Sequence, residues 1–361
     1  MNLSERPVFL LGNGARGCNV ARLLTLGVPV LTSWQAKDMV DNHHPLYFGS
    51  PGIYGQRAAN KVLHEADTII AIGNRMAIWN VGYEGPRADQ RVIMCDVDKD
   101  EAAKFPNAER VDMYAAEFID HLDEADFPQW VTQCSTWNKQ YPWVESPAHD
   151  DAGGYINSYR FVDALHEHLR PDEVIVTDMG TAHICANQVL RLKPPQRLIS
   201  SGGLGEMGCG LPMAIGASFS RFKGEVLCLV GDGGMMMNLQ ELQTIAQHQL
   251  RVKIIVFSND GYLMIKHTQK VAGAPYSAVN AATGVSCPSF VSVAQAFGMP
   301  ACDVRTWDHF NRAIPQLFYA RGPALVEFHM HPEQPLVPKL NPIFIDGKPT
   351  SPRFDQMSPL L

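Results

Sequence analysis

The feature that most constrains the fold of this chain is the stretch of residues 226–261, VLCLVGDGGMMMNLQELQTIAQHQLRVKIIVFSNDG. It predicts an apolar strand, a Gly-Asp-Gly turn, an amphipathic helix starting near Met236 and a second apolar strand ending at Ser258. A right-handed crossover brings the ends of two parallel strands to the same edge of a sheet. We therefore expect Asp232 and Asn259 to lie close together.

Asp232 and Asn259 offer a carboxylate and an amide oxygen, and Gly261 can add a backbone carbonyl beside them. Such oxygen ligands suit Mg²⁺, which usually completes its octahedral shell with phosphate and water. Glycines let a backbone approach an anion closely, and a helix N-terminus directs partial positive charge toward it. The turn contains Gly231, Gly233 and Gly234. We expect a diphosphate with its metal here; the alternative is a plain tight turn.

These residues resemble the thiamine-diphosphate enzymes of the acetolactate synthase type. The resemblance rests on the GDG turn followed by Asn at the family's spacing, and on the segment SGGLGEMGCGLPMAIGA at residues 201–217. It implies that Asp232, Asn259 and the Gly261 carbonyl hold Mg²⁺, and that Met207 bends the thiamine cofactor. The candidate catalytic residues are Met207 and Met264. The family's activating glutamate has no counterpart in this chain.

The resemblance also implies a wider set of contacts with thiamine diphosphate. The candidate cofactor-binding residues are Gly180, Thr181, Gly205, Met207, Gly231, Asp232, Gly233, Gly234, Asn259, Gly261, Tyr262, Leu263 and Met264. His183 is one residue out of phase with the family's histidine, so we expect it to cap the site or to pack. Thr268 takes the place of a tryptophan that selects the second 2-oxo acid in the family, which predicts a differently shaped acceptor pocket. Lys266 and His267 either contact an anionic or hydroxylated substrate or are idle residues of an exposed loop.

The composition restricts the class of protein. The chain has 361 residues, 46% hydrophobic and 19% charged, and a net charge of −7, which fits two globular domains and disfavours nucleic acid as a partner. It contains no apolar run of about 20 residues that would span a membrane, and no signal peptide. The eight cysteines stand singly, without a C-x-x-C pair, as is typical of a reducing compartment. We expect a cytoplasmic protein.

The predicted fold class is α/β, with two doubly wound parallel-sheet domains. We expect a middle domain at residues 1–140, a linker at 141–156 and the thiamine-diphosphate domain at 157–334. Residues 335–361 form a tail that is a candidate active-site lid, with disorder as the alternative, and we expect no regular element in it.

The first domain should contain strands near residues 7–11, 28–33, 68–73 and 92–98, with helices at 18–26 and 56–65. Helical periodicity fades between about 126 and 154. GNGARG, at residues 12–17, looks like half of a dinucleotide fingerprint, and the acetolactate synthase family often carries FAD in this domain. Here only Arg75 remains to pair with a phosphate, and Trp79 either stacks on a ring or fills the core. We disfavour bound FAD and expect a degenerate scaffold.

In the second domain, Asn157 is a good cap for a helix. A strand is predicted at residues 173–178, helices at 288–297 and 307–319, and a final strand at 324–330.

The resemblance implies a division of labour with another polypeptide. Family members have a third domain that binds the pyrimidine ring, and this chain starts at the middle domain. We expect a separate chain with that domain, the alternatives being a fragment or a repurposed protein; a start at Met1 directly before a sensible domain favours a natural split.

The predicted function is the diphosphate-binding subunit of a split, oligomeric carboligase. It would act on a 2-oxo acid, pyruvate by default, and a carbonyl acceptor. The alternatives are a 2-oxo-acid decarboxylase subunit and a non-catalytic, regulatory relative.

Overall fold

A computed structural model describes residues 4–220, 225–345, 348–350 and 352–360. The chain divides into two compact units. The first comprises Met1–Trp143, Arg191–Pro194 and Val337–Leu361, and the second comprises Val144–Leu190 and Pro195–Leu336.

The first unit is built on a five-stranded parallel sheet. Its strands are β1 (Pro7–Leu11), β2 (Val30–Thr32), β3 (Thr68–Ile72), β4 (Arg91–Cys95) and β5 (Ala108–Arg110), and their order across the sheet is β2-β1-β3-β4-β5. Its helices are α1 (Arg57–Glu65), α2 (Ile78–Val81), α3 (Lys99–Ala103), α4 (Ala115–Asp120) and α5 (Pro128–Gln140). Every residue of β1 and β3 is buried, as continuous apolar runs in a sheet covered on both faces should be.

Two expectations for this unit need correction. The helix predicted at residues 18–26 is a short 3₁₀ segment, Val20–Thr25, with no side-chain cap at its start. The weakly periodic stretch after residue 126 contains α5, a helix of 13 residues. Its stabilising contacts are tertiary: Trp130 is buried, and its indole N–H donates to the Pro7 carbonyl at 3.0 Å. Burial of a few large side chains forms a helix where periodicity is weak.

The tail packs on α1 within the first unit. Asp355 pairs with Lys61 at 2.8 Å, Arg57 donates to the Met357 carbonyl at 2.8 Å, and Met357 is fully buried. Contrary to the expectation of no regular element, the tail also contains the antiparallel strands β12 (Ile343–Ile345) and β13 (Lys348–Thr350), numbered after the strands of the second unit. The lid remains a prediction.

The second unit contains a six-stranded parallel sheet. Its strands are β6 (Val174–Thr177), β7 (Arg197–Ser200), β8 (Val226–Gly231), β9 (Val252–Ser258), β10 (Ala301–Val304) and β11 (Ala324–His329), in the order β10-β11-β9-β8-β6-β7. Its helices are α6 (Ser158–Leu165), α7 (Thr181–Val189), α8 (Gly210–Phe219), α9 (Asp232–Met237), α10 (Glu241–Gln247), α11 (Leu263–Val271), α12 (Phe290–Ala296) and α13 (Trp307–Tyr319). Asn157 caps α6 as expected, accepting from the amide of Tyr159.

The prediction of two doubly wound parallel-sheet domains is confirmed. In the second unit, β6, β8 and β9 are adjacent, so the residues that follow them meet at one edge of the sheet. Ligands of open α/β sheets bind at such carboxyl ends.

Candidate active site

Asp232 and Asn259 lie together at the ends of β8 and β9. Oδ2 of Asp232 accepts two hydrogen bonds from backbone N–H groups, one from Asn259 at 2.8 Å and one from Gly261 at 3.1 Å. Its Oδ1 accepts from the Gly233 amide at 2.8 Å. The parallel pairing of β8 with β9 thus produces the proximity that the sequence predicts.

The Asp232 carboxylate is almost completely buried, with 1% of the residue exposed. No ion pair of this side chain occurs in the described part of the chain. Burial raises the pKa of Asp232 to about 6, although three backbone amides and the charge of Lys266 oppose the rise. A buried carboxylate that forms no ion pair is a favourable ligand for a cation, because the cation compensates the solvation that folding removed.

Asn259 carries the most specific signal for a metal. It is 4% exposed, and its Oδ1 has no hydrogen-bond partner among the described residues. Leaving a buried acceptor unsatisfied costs about 1–3 kcal/mol, so such an atom calls for an explanation. An unmet carbonyl oxygen beside a buried carboxylate fits a hard cation such as Mg²⁺.

The turn glycines have roles in packing. A Cβ on Gly233 would lie 2.1 Å from the Tyr262 ring, and one on Gly234 would lie 2.0 Å from Oδ2 of Asp178. Gly231 differs, since nothing lies within 4 Å of the position its Cβ would take. Open space for an anion is therefore found at Gly231, whereas Gly233 and Gly234 make room for the protein's own side chains.

The helix after the turn differs from the prediction. It begins at Asp232 rather than near Met236 and ends at Met237, and α10 follows after a break. An acidic residue in the first turn suits the helix dipole. The break lies at Asn238, whose side-chain amide donates to the Gly208 carbonyl at 2.6 Å.

Met207 lies beside this turn. Its side chain is 37% exposed, and its Cε would be 3.3 Å from a Cβ on Gly233. Gly205 and Gly208 on either side have φ values of +75° and +86°, a region that favours glycine. Two left-handed glycines thus turn the chain around an exposed methionine, as a wedge for a ligand requires.

The end of β6 leads into the predicted diphosphate segment. Gly180, with φ +93°, precedes α7 and has nothing within 4 Å of its Cβ position, and Thr181 is buried. His183 packs inside the protein, where its Nδ1 lies 2.9 Å from Thr177 Oγ1, and burial lowers the pKa of His183 to about 4.

The residues after Gly261 divide into buried and accessible ones. Leu263 is buried, whereas Tyr262 and Met264 are half-buried. Lys266 is not the exposed loop residue that was one expectation: it is 1% exposed on α11, donates to the Pro332 carbonyl at 3.2 Å and faces Glu333 at 3.9 Å.

One carboxylate, Asp178 at the end of β6, was missed by the sequence reasoning. It is fully buried and accepts from the amides of Met179 and Gly208. The rule that singled out Asp232, an acidic residue directly after an apolar strand, could have found it as well.

Comparison with known proteins identifies the family. Residues 178–328 match the family described as "Thiamine pyrophosphate enzyme, C-terminal TPP binding domain", and residues 1–122 match "Thiamine pyrophosphate enzyme, central domain". The chain belongs to the thiamine pyrophosphate enzyme family. The C-terminal match includes Met207, Asp232 and Asn259, so the geometry above lies within the cofactor-binding domain of this family.

Several curated relatives are acetolactate synthase large subunits, which confirms the resemblance. The chain is 30% identical to acetolactate synthase isozyme 1 large subunit of Escherichia coli (strain K12) over 354 residues, covering 95% of this chain and 61% of the relative. It is 30% identical over 388 residues to a probable acetolactate synthase large subunit of Methanocaldococcus jannaschii, covering 98% and 64%. The chain thus spans less than two thirds of the length of these relatives.

A second glycine turn follows β1, in the first unit. A Cβ on Gly12 would lie 2.0 Å from the Gly73 carbonyl, and one on Gly14 would lie 2.9 Å from the Gly73 Cα. These glycines of GNGARG make room for the turn after β3.

Trp79 does not fill the core, since it is 63% exposed. Among the described residues, no helix is long and apolar enough to cross a membrane.

Proposed function

We propose that this chain is the diphosphate- and Mg²⁺-binding subunit of a thiamine-diphosphate-dependent carboligase of the acetolactate synthase type. The observation that carries the proposal is the unsatisfied Oδ1 of Asn259 beside the buried Asp232 carboxylate. With the Gly261 carbonyl, these groups would hold Mg²⁺. Gly231 and Gly180, whose Cα faces are open, would face the diphosphate, with Thr181 beside them.

The chemistry that thiamine diphosphate would supply is a nucleophilic carbon and, in its thiazolium ring, an acceptor for the electron pair that a 2-oxo acid releases as it loses CO₂. The residues of this chain bind and orient. Met207, held between two left-handed glycines, would support the bent cofactor, and half-buried Met264 and Tyr262 would border it. Leu263, which lies between them in the chain and is buried, would anchor both neighbours to the core. Pyruvate is the proposed donor, and a second carbonyl compound the acceptor.

We further propose that a separate chain contributes the domain that binds the pyrimidine ring, in a homo- or hetero-oligomer with this one. The family matches that support this are to the central and C-terminal domains, and the relatives are longer than this chain. Because the activating glutamate would reside in that domain, we expect activity only in the complex.

The test is co-expression with a candidate partner and measurement of CO₂ release from pyruvate with thiamine diphosphate and Mg²⁺. Asp232→Ala should lower the rate by about 100-fold or more, as loss of a central electrostatic group does. Asp308→Asn, at an exposed carboxylate, is the matched control. Full activity in Asp232→Ala would disprove the metal role, and absence of cofactor binding by the wild-type complex would disprove the function.

A further inference from the structure

A third strand end borders the proposed metal site. Asp178 follows β6, which is the neighbour of β8 in the sheet, so Asp178, Asp232 and Asn259 follow three adjacent strands. The proposed function gives Asp178 no role.

The Asp178 carboxylate is turned toward the segment that contains Met207. Both of its oxygens lie 3.0 Å from the amide nitrogen of Gly208, and Oδ1 also accepts from the Met179 amide at 2.8 Å. The thiol of Cys209 lies 3.4 Å from Oδ1. Within the described residues, no ion pair involves Asp178, which is fully buried. Burial raises the pKa of Asp178, and these hydrogen bonds only oppose that rise.

The packing around Asp178 is arranged to admit it. A Cβ on Gly234 would lie 2.0 Å from its Oδ2, and a Cβ on Gly210 would lie 2.9 Å from its Cβ. Gly234 lies in the first turn of α9, directly after Asp232 and Gly233. The carboxylate therefore touches both the helix that begins with the proposed metal ligand and the loop that carries Met207.

Gly208 is held through both of its backbone polar groups. Asp178 binds its N–H, and Asn238, at the end of α9, donates to its carbonyl at 2.6 Å. Gly208 has φ +86°, and it directly follows Met207, whose side chain remains 37% exposed. The exposed methionine is thus followed by a glycine whose N–H is bound by Asp178 and whose carbonyl is bound by Asn238.

We propose that Asp178 is a positioning residue that, together with Asn238, fixes the backbone N–H and carbonyl of Gly208 and so sets Met207 against the Asp232 turn. This inference rests on the proposed function for its catalytic consequence. Its structural part, the clamp on the backbone of Gly208, concerns this chain alone.

The first experiment is hydrogen exchange on the purified chain without cofactor. Asp178→Asn keeps the shape of the side chain and replaces a charged acceptor by a weaker one. We expect exchange at the Gly208 amide to accelerate by about tenfold or more, as the loss of a hydrogen bond to a charged group predicts. Exchange within β6 and α8 should stay as in the wild type. Glu173→Gln, the equivalent change at a buried carboxylate directly before β6, is the matched control and should leave Gly208 unaffected.

The second experiment measures kinetics in the co-expressed complex. Asp178→Asn should weaken thiamine diphosphate binding and lower kcat by about tenfold, while KM for the 2-oxo acid stays within about twofold, because a misplaced wedge disturbs the cofactor rather than the substrate. Asn238→Ala, at a half-buried residue, should reproduce both the exchange and the kinetic effects if Asp178→Asn does not fold.

Unchanged exchange at Gly208 in both variants would overturn the inference. Acceleration spread equally over β6 and β8, and matched by Glu173→Gln, would reduce Asp178 to a general stabilising role and also overturn it. Absence of cofactor binding by the wild-type complex would remove the proposed function instead, while the exchange result would still decide whether the clamp exists.

Discussion

Buried carboxylates at the two ends of the sheet in the second unit differ in the partners that stabilise them. At the amino ends of the strands, Glu225 lies 3.1 Å from Arg170 and 3.9 Å from Lys253. At the carboxyl ends, Asp178 and Asp232 are held by backbone amides, without an ion pair in the described residues. Glu225 is thus paired with cations, whereas Asp178 and Asp232 are stabilised mainly by backbone donors.

The direction of the helices explains part of this difference. In a parallel α/β sheet, helix N-termini lie at the carboxyl ends of strands and helix C-termini at the amino ends, so each end carries its own partial charge. Lys253 at the amino end donates to the Ala320 and Gly322 carbonyls at 2.6 Å each, just past the end of α13. Cations belong there for structural reasons, and carboxylates suit the opposite end.

The sheet also borders a cavity at the end opposite to the proposed metal site. A cavity of about 560 Å³ lies at the amino ends, where Arg170, Glu225, Arg251 and Gly322 are among the residues lining it. The buried Glu225 Oε2 there has no hydrogen bond among the described residues, but it lies 3.1 Å from the Arg170 guanidinium. The Asn259 Oδ1, which has no hydrogen-bond partner among the described residues, lies at the other end. A buried polar atom without a partner therefore supports the proposed site better than the volume of a cavity does.

The largest expected effect tests the end at which Glu225 is paired with cations. Lys253→Met removes a fully buried cation and leaves Glu225 with one partner, which should destabilise the second unit by about 3–5 kcal/mol, as loss of one member of a buried ion pair does. Chemical denaturation measures this, and Lys270→Met, at an exposed residue of α11, is the control. Equal stability of the two variants would contradict the assignment of Lys253 as a counter-charge.

The next effect tests the end that carries the proposed metal site. Mg²⁺ and thiamine diphosphate at 100 times their Kd should stabilise the wild-type complex by about 2.7 kcal/mol. Asn259→Ala should remove most of this gain, because it deletes a proposed metal ligand, while costing little in the ligand-free protein, where the Oδ1 is unsatisfied. Thermal unfolding with and without the ligands gives both values. Gln295→Ala, at an exposed residue of α12, should keep the full gain.

Part of the contrast between the two ends of the sheet can be predicted from the sequence. The carboxyl-end positions of Asp232 and Asn259 follow from strand, turn, helix and strand in order, because right-handed crossovers leave little choice. The amino-end network could not be foreseen, since Arg170, Glu225 and Lys253 come from three separate segments without a motif. Asp178 occupies a predictable place, but its contact with Gly208 depends on an irregular loop. Likewise, α5 was missed because a few buried tryptophan contacts, rather than periodicity, stabilise it.

A smaller effect concerns pH and the amino end. Burial raises the pKa of Glu173 from 4.5 to about 7, the amide and charge of Arg170 opposing it. A carboxyl whose pKa is raised by folding favours the folded state fully below its unfolded pKa and loses that contribution as pH rises through the folded pKa. The shift of about 2.5 pKa units corresponds to about 3.5 kcal/mol in full, at about 1.4 kcal/mol per unit. The wild type should thus lose about 2.5 kcal/mol between pH 4.5 and 7 and the remainder outside that range. Glu173→Gln should lack this slope, as denaturation at a series of pH values would reveal; an unchanged slope would show that other groups cause it.

The smallest effect concerns the thiol beside Asp178. Burial and the neighbouring Asp178 carboxylate raise the pKa of Cys209 to about 12, so almost no thiolate exists at pH 8. Alkylation by iodoacetamide should therefore be slow at Cys209 and faster at exposed Cys302, followed by mass spectrometry. Asp178→Asn should accelerate alkylation of Cys209 by a few-fold, because it removes a negative charge 3.4 Å from this thiol. Cys209→Ala should leave the Gly208 amide nearly as protected as in the wild type, because the thiol contact is weaker than a carboxylate–amide bond. If instead Cys209→Ala matched Asp178→Asn in exchange, the thiol and not the carboxylate would fix this end of the sheet, and the contrast between the two ends would rest on Asp232 alone.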